Sequence, residues 1–149
     1  MAYSSVITPL PHILVIEPLP LQALLHIILV LILQLLLGAK IVTISSGTVT
    51  YTGFSGAGGY TVTIKNDNFT ISYCHVSPFF LVSVGEFVLK GTVIANVGPK
   101  NVYNVPNNPY KDSNGNPTNG ASTGPHLHLT IKKDGKAVNP LDYISSSSS

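Results

Sequence analysis

The chain has 149 residues, enough for one domain with a buried core, and a formal net charge of only +2. All eight basic residues are lysines with no basic stripe among them, which argues against nucleic acid as a partner. A single cysteine, Cys74, excludes an internal disulfide framework and a thiolate zinc site.

Charged residues make up 9% of the chain, against about 25% in an ordinary soluble domain. Residues 1–40 carry only Glu17 and Lys40, so a seam falls near Gly38-Ala39-Lys40. The chain divides into an apolar segment, 1–38, a β-rich domain, 39–145, and a serine tail, 146–149, expected to be disordered.

The run "LQALLHIILVLILQLLLG", residues 21–38, is long and apolar enough for a membrane anchor. A signal peptide fits poorly, because no Lys or Arg precedes position 40 and Pro9, Pro11, Pro18 and Pro20 crowd the approach. An anchor would leave Lys40 on its cytoplasmic flank and would bury His26 and Gln34 at some cost.

From Ile41 the texture changes. "GTVTYTGF", "GYTVTIK" and "FTISYCHVS" alternate apolar with polar or small residues and are rich in Thr, Val, Ile and Tyr, which predicts strands. "SGAGG" and "KNDN" punctuate them as turns. "LVSVGEFVLKGTVIANVG" predicts further short strands turning at Gly91. Residues 98–124, rich in Asn, Gly and Pro, read as a long surface loop of the kind that often carries function. A last strand, "HLHLTIK", precedes a "KDGK" turn. No stretch of 41–149 has helical periodicity, so the fold class is all-β, an antiparallel sandwich or barrel-like core.

Of five histidines, His12 and His26 lie in the apolar segment, and His75, His126 and His128 lie in or beside predicted strands. His126 and His128 share a strand face, at the rim of the long loop. By alternation Tyr73 would share a face with His75, which suggests a groove-lining role. One histidine alone is most often a packed or surface imidazole; a pair at a loop rim is a stronger signal.

The ordered set "YCHVS", "VGEFVLKGTVIANVG", "STGPHLHLTI" and "DGKAVNPLDYI" resembles the lysostaphin/LytM-type zinc endopeptidases, which cleave peptide bonds in bacterial peptidoglycan. The resemblance covers about residues 39–144 and implies a zinc ligand at His128, with His75 and His126 acting on the reacting water and the developing oxyanion. It further implies Zn2+ as cofactor, peptidoglycan peptides as partner and a place in the bacterial cell envelope. A catalytic zinc site of this type has three protein ligands and an open position for water.

The family's other two ligands come from a His-x-Gly-x-Asp motif ahead of the first hairpin. Here "ILVLI" stands there, so Ile28 and Ile32 occupy the expected His and Asp positions. One explanation is translation one nucleotide out of frame up to about Gly38. A shifted Ile then reports a codon ending in AT (His, Asp, Asn or Tyr), and a shifted Val one ending in GT (Gly, Arg, Ser or Cys). Ile28, Val30 and Ile32 fit His-x-Gly-x-Asp together, and Val15 and Glu17 fit the Gly-x-Arg of the preceding turn. Codons ending in T would also make the shifted segment apolar.

As written, the chain is expected to bind zinc poorly and hydrolyse little, with weak three-imidazole binding by His75, His126 and His128 remaining open. Two other classes stay open. One is a non-catalytic cell-wall-binding or regulatory module. The other is a biotinyl/lipoyl-type carrier, which the setting of Lys90 does not favour because it lacks a tight turn with apolar neighbours.

Overall fold

In the computed structural model the backbone is described for residues 5–6, 13–14, 31–33 and 37–144, and side chains for 37–143. Most of the 21–38 run, including Ile28, lies outside the described residues, as does the serine tail. Among the described residues no helix is long and apolar enough to cross a membrane.

The first short strands are β1 (Ser5–Val6), β2 (Ile13–Leu14), β3 (Leu31–Leu33) and β4 (Lys40–Val42). The central ones are β5 (Gly47–Phe54), β6 (Tyr60–Asn66) and β7 (Phe69–Cys74). After them come β8 (Phe87–Val88), β9 (Val93–Asn96), β10 (Leu127–Lys133) and β11 (Lys136–Ala137). All pairings are antiparallel. The main sheet runs β11-β10-β7-β6-β5-β8, with β3 also on β10, and β4 pairs with β9 in a second layer. The predicted all-β fold, strands and turns are present.

Two tight hairpin turns follow from their residues. Asp134-Gly135 joins β10 to β11 with both residues at positive φ, 52° and 81°, as a tight two-residue turn requires. Asp67-Asn68 joins β6 to β7 with Asp67 at φ 37°.

Alternation gives the main sheet two unlike faces. Val49, Val62, Ile64, Ile71, Tyr73, Leu127, Leu129 and Ile131 point to the core, where they meet Ile41, Ile94, Ala95 and Val97 of the second layer and its flanks. Each such aliphatic side chain contributes about 1.5–3 kcal/mol by burial. On the opposite face the pairs Thr61–Cys74, Thr63–Ser72 and Cys74–His128 make a polar surface. There Thr63 and Ser72 share a hydroxyl hydrogen bond of 3.1 Å.

Residues 98–124 differ from the expected surface loop. The segment has no regular strand, yet Asn108, Thr118, Asn119 and Ser122 within it are buried. Isolated bridges join Asn101 to Thr118 and Lys111 to Pro117. Asparagine side chains do the work of a ladder: Asn108 Nδ2 donates to the Thr118 carbonyl at 2.8 Å and Asn101 Nδ2 to the Pro117 carbonyl at 3.0 Å. Composition flags such residues as loop formers, but their local hydrogen bonds here stitch a folded arm.

The second difference is α1 (Leu141–Ile144), a four-residue helix. Asn139 caps it, its Oδ1 accepting from the Leu141 N–H at 2.8 Å. Tyr143 on this helix packs edge-on against Phe69, ring centroids 5.0 Å apart. One turn is too short to leave a periodic signature.

Candidate functional site

The three histidines of the β-domain gather at one end of the polar face. His75 and His126 have ring centroids 4.7 Å apart, and His75 and His128 5.8 Å. His128 projects from β10 opposite Cys74 of β7, while His126 lies just ahead of that strand. His75 follows the last residue of β7 and leaves strand geometry, with φ 61°.

That left-handed backbone is rare for a side chain with a Cβ and costs on the order of 1 kcal/mol. Three hydrogen bonds hold it. The His75 N–H donates to the Gly58 carbonyl at 2.8 Å, and its own carbonyl accepts from the Gly98 N–H at 3.0 Å. Its ring Nδ1 meets the Asn119 carbonyl at 2.7 Å.

The same break corrects the expectation for Tyr73. Strand alternation would put Tyr73 and His75 on one side, but the parity ends at Cys74. Tyr73 instead turns into the core with 1% of its surface exposed, and its hydroxyl bonds Thr43 Oγ1 at 3.2 Å and accepts from the Ile44 N–H at 3.0 Å. Burial raises its pKa, partly offset by the bonds to Thr43 and Ile44. It ties the two layers together and does not line the groove.

A carbonyl oxygen only accepts, so His75 Nδ1 must carry the proton in its bond to Asn119. His126 Nδ1 likewise donates to the Gly124 carbonyl at 2.7 Å. In each ring the hydrogen bond to a carbonyl uses Nδ1 and leaves Nε2 for chemistry. Burial draws the His75 pKa down from 6.5 to about 4; the bond to Asn119 opposes this and the neighbouring His126 and His128 reinforce it. The His128 pKa is also lowered, first by burial and then by His126. Near neutral pH, His75 and His128 are therefore uncharged bases.

Zinc needs more than these rings offer. Among the described residues no three His, Cys, Asp or Glu side chains are placed to hold a metal ion. On the β3 side of β10, residue 32 pairs directly with His128, and that residue is isoleucine, which has no donor atom. The donor set does not fit a tetrahedral zinc site.

The arm forms a cleft of about 470 Å³, lined in part by Lys100, Tyr110, Asp112, Thr118, Gly120 and Ser122 and by none of the three histidines. A second cleft of about 460 Å³ lies by the β6–β7 turn, near Asn66, Phe69 and Tyr143, at the other end of the strands from the histidines.

Sequence reading missed Asn119 and Gly124, whose carbonyls set the two rings. Their only trace is the "TNGASTG" run leading into His-x-His. A carbonyl's role carries no side-chain signature.

The profile of peptidase family M23 matches residues 32–111, more than half of the chain. An uncharacterized metalloprotease of Haemophilus influenzae is 32% identical over 106 residues, which make 70% of this chain and 18% of that protein. Csd3 of Helicobacter pylori superposes with a TM-score of 0.57 at 29% identity, over 75% of this chain and 25% of its own. The catalytic domain of the antimicrobial peptidase lysostaphin from Staphylococcus simulans does so with a TM-score of 0.59 at 23% identity, over 76% of each chain, a likeness of fold. The chain thus spans a quarter or less of the first two relatives' length.

Proposed function

The chain belongs to peptidase family M23, and from that premise we propose that it is a peptidoglycan-directed domain of the cell envelope whose metal site is incomplete as written. The observation that carries this reading is the register of β3 on β10, which sets Ile32 across from His128. That is where the resemblance to zinc endopeptidases calls for a carboxylate. With Ile28 in place of the other ligand, His128 stands as the lone family ligand. Zinc, when held by a complete set, would lower the pKa of a bound water.

What the chain's own residues can do is limited and specific. His75 and His126 use Nδ1 in bonds to carbonyls, which leaves Nε2 able to take a proton from water and return it. Without the missing ligands the chain should bind the wall with little hydrolysis. The test incubates the full chain with zinc and purified peptidoglycan. Sedimentation with the wall and no release of soluble peptide is expected, and an Ile28→His/Ile32→Asp double variant should gain release. Peptide release by the unaltered chain would overturn the impairment, and failure to sediment would remove the wall as partner.

A non-catalytic wall-binding module is the second reading. The cleft in the arm favours it, because the arm that builds the cleft is intact while the ligands are missing. Frame displacement before Gly38 accounts for the substitutions at 28, 30 and 32 together. Resequencing the coding DNA across codons 1–45 separates the two origins. A single-base correction restoring His-x-Gly-x-Asp supports displacement. Confirmation of the written sequence leaves a repurposed relative with an apolar segment to be tested as an anchor.

A further inference from the structure

Asn119 is completely buried at 0% exposure, and each polar group of its side chain and backbone has a partner. Its Oδ1 accepts from the Tyr60 N–H at 2.7 Å, and its Nδ2 donates to the carbonyls of Val76 at 3.0 Å and Pro99 at 3.4 Å. Its backbone N–H donates to the Lys100 carbonyl at 2.8 Å. The remaining group, the backbone carbonyl, accepts from His75 Nδ1 at 2.7 Å. The amide side chain therefore pins the residue to the start of β6, to the residue after His75 and to the arm.

Room for this arrangement is set by two glycines. A Cβ on Gly59 would lie 2.3 Å from Asn119 Oδ1, and a Cβ on Gly120 would lie 2.3 Å from the Gly59 nitrogen. Both have positive φ, 65° and 71°. Five residues after Asn119, Gly124 supplies the carbonyl that fixes His126, and Gly120–Thr123 between them form part of the cleft wall.

We propose that Asn119 is a positioning residue: its side-chain clamp aims its own carbonyl at His75 Nδ1, fixing the tautomer and orientation of that imidazole from the segment that also walls the cleft. A neutral histidine has two tautomers, and the partner of one nitrogen decides which lone pair faces the site. The clamp replaces a carboxylate orienter with a backbone oxygen that cannot itself titrate. The inference rests on reading His75 as an active imidazole, but its test reads the ring's protonation pattern and not hydrolysis. A null result in the peptide-release assay leaves it standing, and its own failure leaves that assay intact.

The experiment is ¹⁵N nuclear magnetic resonance of the histidine rings in the full chain at neutral pH, with a through-hydrogen-bond coupling sought between His75 Nδ1 and the Asn119 carbonyl carbon. The unaltered chain should show His75 and His126 as Nδ1–H tautomers and should show the coupling. Asn119→Ala should lose the fixed His75 tautomer while His126, held by Gly124, keeps its own. Asn108→Ala trims another buried polar side chain of the same arm and should leave His75 fixed. Asn119→Ser is the gentler companion should the alanine variant not fold. The proposal is overturned by absence of the coupling in the unaltered chain. A folded Asn119 variant with His75 unchanged would also overturn it, as would an equal loss in Asn108→Ala.

Discussion

At the scale of single residues, the histidine cluster makes stability depend on pH. His75 has its pKa lowered from 6.5 to about 4 in the folded chain, and His128 is lowered too. The unfolded chain therefore binds more protons in that window, so stability is fully present above about pH 6.5 and is lost as pH falls through about 4. For His75 the loss is of the order of 2–3 kcal/mol. Denaturant titrations at pH 7 and pH 4 should show it, and His75→Asn should flatten the difference, since asparagine tolerates the left-handed backbone. An unflattened profile would place the effect elsewhere. Tyr73→Phe tests the corrected role of that residue. It strands the Ile44 N–H and should cost about 1–3 kcal/mol in stability, while peptidoglycan sedimentation stays as before. A loss of wall binding without a loss of stability would return Tyr73 to the groove.

Elements differ in how far the sequence disclosed them. β5, β6, β7 and β10 announce themselves by alternation, and the Asp-Gly turn by its residue types. The arm 98–124 did not, because its order comes from asparagine side chains bonded to carbonyls far along the chain, as in the link from Asn119 to Val76. Tyr73 misled because alternation holds only while the backbone stays extended, and His75 departs from it. His-x-His was legible as a pair, whereas the carbonyls of Asn119 and Gly124 that set the rings were not. Two substitutions test the element account. Leu129→Ala, on the core face of β10, should cost about 2–5 kcal/mol by opening a cavity. Thr130→Ala, on the polar face, should stay within about 0.5 kcal/mol. Similar costs at both positions in a melting series would contradict the assignment of the two faces.

For the whole molecule, the central point is a separation between scaffold and metal chemistry. Among the residues whose side chains are described, the core is made by residues after Gly38, and it is aliphatic and aromatic rather than metal-binding. Binding of a structural metal stabilises a fold outright, whereas an incomplete donor set has little to contribute. The domain is therefore expected to stand without zinc, and melting it with and without a chelator should give the same midpoint. A large drop on chelation would show a metal at work in the fold. The most direct measurement is an equilibrium zinc titration by calorimetry on the unaltered chain beside the Ile28→His/Ile32→Asp variant. No tight stoichiometric site is expected in the first, and one tightly bound ion per chain in the second. Tight one-to-one binding by the unaltered chain would contradict it, because His75, His126 and His128 would then suffice for a metal site that the present donor set is held not to form.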